Sequence, residues 1–498
     1  MAQAPMPDPV GPENTTEEDA PVPFYLQVED PEPRVGLARL LLQPTIALNT
    51  LRVALPVVLG MVTQTAISIL DTVMVGRLPP EVANPGQAAI GFSLPLMWLV
   101  GGSLSSVWVG TQAITSRRFG EGKLELAGRT LTNSVAVALV ASIVISGLAF
   151  LAVPSVIGAL YADPASVALG QGYLRLRLLG VTAMVTTFSF KSFFDGIGRT
   201  HYFMAAAVVM NVLNVVLNWV LIYGVESLGV PALGVEGAAW ASAIASYIGL
   251  FLLFGVALQP SLMRQFKYLR PSSLDGSVAR EIIRLSVPNG GATLIIMVGF
   301  SAFYWVVGQL NDQIAPPGNP FIATASQAVV TLNMVTFMTA LAFGSATASI
   351  VGQAVGAKRT ALGERYGWEA AKLWAYLMTL FGLLLFVAPD FFVALVNPDP
   401  LVIDAARAPL RLLALLQGVV AIAMVFAQTL YGTGDAKFVL GVELALHLGV
   451  MAPGAYLFGL VFDLGLVGIY IAPAIYGCAL ATATLLRFRR GHWKTVEL

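Results

Sequence analysis

The sequence has little charge. Only 11% of its 498 residues are Asp, Glu, Lys or Arg, whereas a soluble globular protein carries about 25%. Positive and negative side chains balance at 28 each, so nothing in the net charge suggests a nucleic-acid partner. Hydrophobic residues make up 57% of the chain, and the mean hydropathy is +0.77. Together with apolar runs of bilayer-spanning length, these values predict an integral membrane protein.

Cysteine and histidine are also scarce. The single cysteine, Cys478, excludes an internal disulfide and any cysteine-based metal cluster. The three histidines, His201, His447 and His492, are too few and too scattered to predict a metal site. We therefore expect no metal and no organic cofactor.

Residues 1–50 differ from the rest of the chain. They are rich in proline and acid and poor in apolar side chains, a composition that predicts a disordered acidic tail. They lack the basic segment and short apolar core of a signal peptide. Within them, residues 36–50 fit either a short helix on the membrane surface or a plain linker.

Twelve apolar stretches predict twelve transmembrane helices. The predicted spans are 53–77, 87–111, 130–152, 168–191, 203–224, 236–258, 286–310, 322–347, 367–388, 404–430, 437–461 and 464–487. Lys and Arg concentrate in the loops that follow even spans and in the C-terminal tail, whereas the opposite loops contain only Arg77. Because cytoplasmic loops carry the excess of Lys and Arg, both termini are predicted to be cytoplasmic.

The two halves of the chain repeat each other. Gly120 and Gly356 are 236 residues apart, and Gly198 and Gly434 keep the same spacing. Each half has an even number of spans, so the halves have the same orientation and are related by an axis along the membrane normal. The predicted fold is all-α, with two six-helix lobes around a central cleft. The boundaries are 51–258 for the N-lobe, 259–285 for a cytoplasmic linker, 286–488 for the C-lobe and 489–498 for a cytoplasmic tail.

Asp71 is the one ionisable residue of the first span before its end at Arg77. A carboxylate in hydrocarbon is costly, so such a residue is a functional-site hypothesis by default. Gln64 lies seven residues earlier on the same helix face, and Asn211, Asn214 and Asn218 share a face of span 5. Asp71 and Asn218 are predicted at one level, in the outer half of the membrane. This pattern predicts a proton or cation site. The alternatives are a permanently paired structural Asp and asparagines that only join helices by hydrogen bonds.

Two other groups of side chains are candidates. Glu443 and His447 are one helical turn apart in span 11 and could form a second proton relay or a satisfied structural pair. Aromatic and methionine side chains suit amphipathic, often cationic compounds, although most such residues in a membrane protein face the core or the lipid. The candidate cleft residues are Trp98, Tyr304, Trp305, Met334 and Phe337.

Several motifs occur in a fixed order on these spans. They are D-T-V-M-V-G at 71–76, Q-A-I-T-S-R-R-F-G-E-G-K at 112–123, its echo A-S-I-V-G-Q-A-V-G-A-K at 348–358, F-D-G-I-G-R-T at 194–200, N-V-L-N-V-V-L-N at 211–218 and L-G-V-E-G-A-A-W-A-S at 233–242. As a set they resemble the multidrug and toxic-compound extrusion (MATE) transporters, and the DinF-like branch more than the NorM-like one. The resemblance covers about residues 50–488.

This resemblance implies efflux of organic cations or other amphipathic compounds, driven by H⁺ or Na⁺ antiport. It also implies an N-lobe cation site formed by Asp71, Asn211, Asn214, Asn218 and Ser242. The family often has Asp where this chain has Asn218, which leaves Asp71 as the single N-lobe carboxylate. Span 7, at 286–310, has no acidic residue, so the C-lobe site of the NorM-like branch is not expected.

The prediction is thus a monomeric H⁺-coupled multidrug antiporter of the inner membrane. Na⁺ coupling stays open, because Asn oxygens and the Ser242 hydroxyl could supply ligands. A lipid-linked flippase of the same superfamily would need a basic cleft and commonly more spans. An intramembrane enzyme would need a nucleophile–base pair or metal cluster, and a channel would need no buried titratable group.

Overall fold

The computed structural model describes residues 23–29, 40–75, 77–79, 90, 93, 96–160, 164–316 and 321–496, with the side chains of 64–73, 159–160, 164–166 and 228 outside this description. The described chain is helical apart from loops and one isolated bridge between Val225 and Val230. The long helices are α1 (Pro44–Val75), α2 (Val107–Gly120), α3 (Leu124–Leu160), α4 (Pro164–Gly196), α5 (His201–Tyr223), α6 (Gly234–Ala257), α7 (Gly276–Ile314), α8 (Phe321–Gly356), α9 (Thr360–Val387), α10 (Pro400–Ala414 with Gln417–Gly432), α11 (Ala436–Val461) and α12 (Gly465–Arg490).

Each of the twelve predicted spans overlaps one of these helices, so the all-α fold is confirmed and twelve helices are consistent with it. Residues 87–89, 91–92 and 94–95 of predicted span 2 lie outside the described residues. Among the described residues, nine helices are long and apolar enough to cross a membrane, or ten when both parts of α10 are counted as one span. The two parts of α10 meet at a bend of 55°. A π-helical turn at Trp98–Gly102 precedes α2, and α11 contains two more, at His447–Met451 and Leu457–Val461.

The structure corrects the predicted boundary at residue 50. Helix α1 begins at Pro44, and Phe24–Leu26 form a 3-10 turn in which Tyr25 is buried. The predicted linker 259–285 likewise contains a short helix, Pro260–Phe266, and the first turns of α7. The prediction followed hydropathy, which falls where a helix leaves the hydrocarbon, whereas the helical hydrogen bonds continue beyond that level.

The helices pack into two lobes, and the first helix of each lobe contacts both lobes. α1 packs against α5 in the N-lobe and also against α8 of the C-lobe. In the same way α7 packs against α11 in the C-lobe and against α2 of the N-lobe, while α2 and α8 cross each other directly. The contacts between the lobes therefore follow the two-fold relation that the sequence repeat predicts.

The buried cores show where the lobes are joined. At the end of the bundle where α2 and α8 terminate, one core combines α1 side chains such as Ile46 and Val57 with α8, α9, α10 and α12. A second shared core adds Ile282 of α7 to α2, α3 and α4, and it extends along α3 to Ile157. Toward the other end, one core contains only C-lobe residues and another only N-lobe residues. We name these the closed end and the open end, and the space between the lobes the cleft.

Candidate transport cleft and coupling site

A reciprocal glycine contact closes one end of the cleft. A Cβ atom added at Gly120 would lie 2.0 Å from the carbonyl oxygen of Gln353, and one added at Gly356 would lie 2.1 Å from that of Arg117. Residues 117 and 353 are 236 apart, as are the two glycines, so they are equivalent positions of the repeat. The two contacts are therefore the same contact made once from each lobe. Only glycine permits backbones to approach this closely. The two helix ends are therefore built to touch.

Buried glutamines bridge the same seam. Gln112 of α2 donates to the Ser345 carbonyl at 2.6 Å and to Ser349 Oγ at 2.7 Å, and its own oxygen accepts from Ser345 Oγ at 3.1 Å. Gln353 of α8 donates to the carbonyl of Gly196 in the N-lobe at 2.6 Å. These amides are fully buried and satisfied, so separation of the lobes at this end must break their bonds in a non-aqueous setting.

A second pair of contacts repeats across the seam. The backbone N–H of Asp275, just before α7, donates to Asn133 Oδ1 at 2.9 Å. The N–H of Gln43, just before α1, donates to Glu369 Oε2 at 3.0 Å. Asn133 and Glu369 are 236 residues apart. The entry of each lobe's first helix is thus fixed to the third helix of the other lobe.

The predicted polar row of α5 is buried and connected. Asn218 Nδ2 donates to Asn214 Oδ1 at 3.1 Å, and Asn214 Nδ2 donates to Ser242 Oγ of α6 at 3.3 Å. Asn211 is 7% exposed, and its Nδ2 has no hydrogen-bond partner among the described residues. The structure therefore brings Asn214, Asn218 and Ser242 into one chain, with a further amide one turn below it.

Helix α1 passes beside this row. Val53 O accepts from Thr200 Oγ1 at 3.0 Å, and Met74 O accepts from Tyr223 Oη at 2.7 Å, so α1 and α5 run parallel and in contact. The backbone of residue 71 lies about 4.5 Å before Met74, and that of Asn218 about 7.5 Å before Tyr223, by helical rise. The two positions are thus at similar levels. The side chains of Asp71 and Gln64 lie outside the described residues.

Glu443 and His447 are both buried in α11, but their link is not carboxylate to imidazole. The carboxylate Oε2 of Glu443 accepts from Tyr431 Oη at 2.9 Å. His447 Nδ1 lies 2.9 Å from the backbone carbonyl of Glu443, and its ring packs edge-on against Tyr476 at 4.6 Å. Because the two residues are four apart in the helix, the His447 imidazole lies next to the Glu443 backbone carbonyl.

The candidate cleft residues differ in exposure. Trp98 and Trp305 are 51% and 57% exposed, and Trp305 stacks on Tyr456 with ring centroids 6.4 Å apart. Tyr304 donates to Gln327 Oε1 at 2.9 Å. Met334 is half-buried, and so is Phe337, which packs against the core shared by the two lobes. Phe337 thus packs partly against the shared core, whereas about half of each tryptophan side chain is exposed.

Sequence reasoning did not assign the seam residues Gln112 and Gln353. Both stand in the repeated motifs at 112–123 and 348–358, each with a glycine that makes the reciprocal contact. The sequence contained a signal for them, because a polar residue shortly before a glycine occurs in both copies of the motif.

In the described part of the chain, the cores shared by the two lobes of membrane-length helices lie at one end, and the cores toward the other end each belong to one lobe. This architecture is typical of membrane transporters. The family model MatE matches residues 56–220 and 291–457, once in each lobe. The chain belongs to the MATE family.

Relatives of known name agree with this assignment. The chain is 27% identical over 455 residues to the multidrug resistance protein NorM of Vibrio vulnificus (strain CMCP6), covering 90% of this chain and 95% of that one. It is 23% identical over 461 residues to the probable multidrug resistance protein NorM of Thermotoga maritima, covering 91% and 94%. The protein is thus a multi-pass membrane transporter and not an enzyme.

Solved structures show the same fold. A MOP superfamily transporter from Pyrococcus furiosus superposes with a TM-score of 0.80 at 22% identity, covering 92% of this chain and 98% of that one. A multidrug resistance MATE transporter described as outward-facing superposes with a TM-score of 0.79 at 22% identity and the same coverage.

Proposed function

We propose that this protein exports amphipathic or cationic organic compounds by alternating access, with H⁺ as the coupling ion and Asp71 as the coupling group. The observation that carries the proposal is the buried amide–hydroxyl row Asn218–Asn214–Ser242, beside α1 at the level of residue 71. Such a row can stabilise a carboxylate, a protonated carboxyl or a bound cation, according to its geometry.

The proposed orientation in the membrane follows from the charge of the loops. Arg117, Arg118 and Lys123 lie at the closed end, as do Lys358 and Arg359. By the positive-inside rule we propose that this end is cytoplasmic, which makes both termini cytoplasmic and the structure outward-facing. In that state Asp71, beside the amide row, would exchange a proton with the outside, and release of the proton to the inside would follow closure of the open end and opening of the closed end.

Protonation alone can drive such a cycle. The N-lobe has one carboxylate candidate, and a neutral Asp71 would need no further oxygen ligands, whereas Na⁺ is held by several oxygens. Among the described residues the Asn211 Nδ2 has no acceptor, and such a donor favours an anionic or carbonyl oxygen over a metal cation as its neighbour. The lack of an acidic residue at 286–310 disfavours the C-lobe site of the NorM-like branch and supports the DinF-like branch.

The lipid-linked flippase is the second candidate. It would need cationic side chains facing the cleft, and the described cleft candidates are aromatic or thioether side chains. A second relay through Glu443 and His447 is a separate proposal, supported by the burial of both side chains and the Tyr431 hydrogen bond.

Everted vesicles with an imposed pH or Na⁺ gradient test the proposal. We expect wild-type protein to accumulate a fluorescent organic cation under a pH gradient, and Asp71→Asn to reduce accumulation to background. The matched control is Asp312→Asn, the same change at an exposed position near the end of α7. Wild-type accumulation by Asp71→Asn would reject Asp71 as the coupling group. Response to Na⁺ alone would reject H⁺, and preference for a lipid-linked sugar would favour the flippase.

A further inference from the structure

A short segment before α1 occupies the closed end. We name residues 23–29 the latch. Pro23 precedes the 3-10 turn Phe24–Leu26, and within that turn Tyr25 is 1% exposed and Leu26 5% exposed. Both belong to the core that α1 shares with the C-lobe helices. A segment outside the twelve spans thus contributes a large aromatic side chain to the joint between the lobes.

The Tyr25 ring contacts both lobes. Its hydroxyl donates to Gln353 Oε1 of α8 at 2.6 Å, and the amide nitrogen of the same glutamine donates to Gly196 O of the N-lobe at 2.6 Å. On the other side, a Cβ atom added at Gly198 would lie 2.4 Å from the Tyr25 oxygen. Tyr25 therefore completes a hydrogen-bonded chain that crosses the seam. Burial raises the pKa of the Tyr25 phenol, so it stays a neutral donor at physiological pH.

Hydrogen bonds from the C-lobe hold three carbonyls of the latch backbone. Tyr366 Oη donates to the Tyr25 carbonyl at 2.8 Å. The Arg359 guanidinium donates to the Leu26 carbonyl and, at 2.6 Å, to the Val28 carbonyl. The latch also packs against α1. Beyond α1, its described contacts with the N-lobe are made by the tip of the Tyr25 ring at Gly198 and through Gln353 at Gly196.

This division determines what happens when the closed end opens. The Gly196 and Gly198 side belongs to the N-lobe, so it leaves Tyr25 and Gln353 when the lobes separate. The phenol would then lose one wall of its pocket, and the Gln353 amide would lose an acceptor. The latch therefore favours the closed arrangement over the opened one.

We propose that the latch is a removable clamp on the cytoplasmic seam: residues 23–29 shift the conformational equilibrium toward the outward-facing state, and their release permits inward opening. The proposal rests on the alternating access and sidedness given above, but not on the coupling ion or the substrate. The clamp is a segment of this chain itself. It is held at the seam by the buried Tyr25 phenol and by three backbone carbonyls that accept hydrogen bonds from the C-lobe.

A distance measurement across the closed end tests the latch. Lys123 of the N-lobe and Lys358 of the C-lobe are exposed there, and both can be replaced by spin-labelled cysteines in a Cys478→Ser background. Full-length protein in nanodiscs is compared as wild type, Tyr25→Phe, Tyr25→Ala and the control Glu29→Ala, an exposed position of the same segment.

We expect Tyr25→Ala, which removes the ring that lies against Gly198 of the N-lobe, to raise the ratio of long to short distances about fivefold. Tyr25→Phe should raise it less, because the Tyr25–Gln353 hydrogen bond joins two groups on the C-lobe side and is kept when the lobes separate. Glu29→Ala should match wild type. A Tyr25→Ala distribution equal to wild type would overturn the proposal. Tyr25→Phe guards against misfolding, because it keeps the packed ring. The distances are measured without substrate, so failure of drug export would not affect this result.

Discussion

The two lobes share their seam but not their polar interior. At the seam, Gly120 and Gly356 make equivalent contacts, and so do Asn133 and Glu369. Inside the lobes the equivalence ends. Asn211 and His447 are 236 residues apart, yet the first lies in the unbroken α5 and the second begins a π-helical turn in α11.

This difference separates two tasks. The symmetric parts hold the lobes together at one end, a task that places the same demand on both halves. The asymmetric parts are buried polar groups that can act in one lobe without an equivalent group in the other. The π-helical turns of α11 are of interest because such turns occur frequently at functional sites. If the N-lobe couples transport, substitutions in its polar row should reduce export, and substitutions of the buried polar groups of the C-lobe should not. Substitutions at equivalent seam positions of the two lobes should have equal effects.

The largest expected contrast is between the two candidate carboxylates. Asp71→Asn should reduce gradient-driven export to background, because the group can no longer exchange a proton. Glu443→Gln should keep most of the wild-type rate, since its amide oxygen can still accept from Tyr431. Both are measured as dye uptake into everted vesicles at equal protein level. Equal loss in the two variants would show that coupling is shared between the lobes.

Next in size are the seam glycines. Gly120→Ala and Gly356→Ala each place a Cβ against a backbone carbonyl and should disfavour the closed arrangement by about 1–3 kcal/mol, the usual effect of overpacking. Spin-label distances across the closed end and thermal unfolding measure this. Gly147→Ala and Gly441→Ala are controls, because nothing lies within 4 Å of an added Cβ at either position. Unequal effects of the two seam variants would contradict a symmetric joint.

A smaller effect is expected at Asn214. Asn214→Ala removes the hydrogen bond from Asn218 within α5 and the bond to Ser242 of α6, the latter worth about 0.6 kcal/mol between membrane helices. Export should fall in part, and the melting temperature should decrease slightly. Val212→Ala, at a position 60% exposed on the same helix, should change neither. An export rate unaffected by Asn214→Ala would make the row a structural joint.

The smallest effect concerns how the first helix of each lobe begins. Asp275 caps α7 by accepting from Ser277 N at 2.8 Å, and its repeat counterpart Gln43 has no such carboxylate. Hydrogen bonds from Ser277 hold the pKa of the Asp275 carboxyl below its usual range. The stabilisation is therefore complete above the unfolded pKa and is lost as pH falls through the folded pKa. Asp275→Asn should reduce the acid sensitivity of thermal unfolding slightly; an unchanged pH profile would contradict this.

The spans could be predicted from sequence because hydrocarbon demands long apolar runs. The repeat was visible in glycine pairs such as Gly120 and Gly356. The bend of α10 could not be predicted, because it falls at Leu415 and Leu416, where no proline or glycine marks it. The burial of Tyr25 was hidden for a similar reason. Its neighbours are acidic and proline-rich, and a single aromatic turn gives no periodic signal.

The candidate site was predictable in part. The spacing of Asn211, Asn214 and Asn218 placed them on one face, which the structure confirms for Asn214 and Asn218 by their direct hydrogen bond. Spacing could not show that His447 bonds to the Glu443 carbonyl. A spacing of four residues shows that two side chains lie near each other on a helix, but not which of their atoms form a hydrogen bond. The partnership of α1 with α8 depends on tertiary packing, for which the sequence has no local pattern.

The reciprocal glycine contact has one more consequence. Gly120 touches residue 353 and Gly356 touches residue 117, which is the pattern of an isologous interface, in which one patch pairs with its own copy. A six-helix polypeptide carrying this patch would have a self-complementary surface and could assemble as a parallel homodimer. The present chain has the form of such a dimer joined into one polypeptide, and within one polypeptide the interiors of the two halves need not be identical.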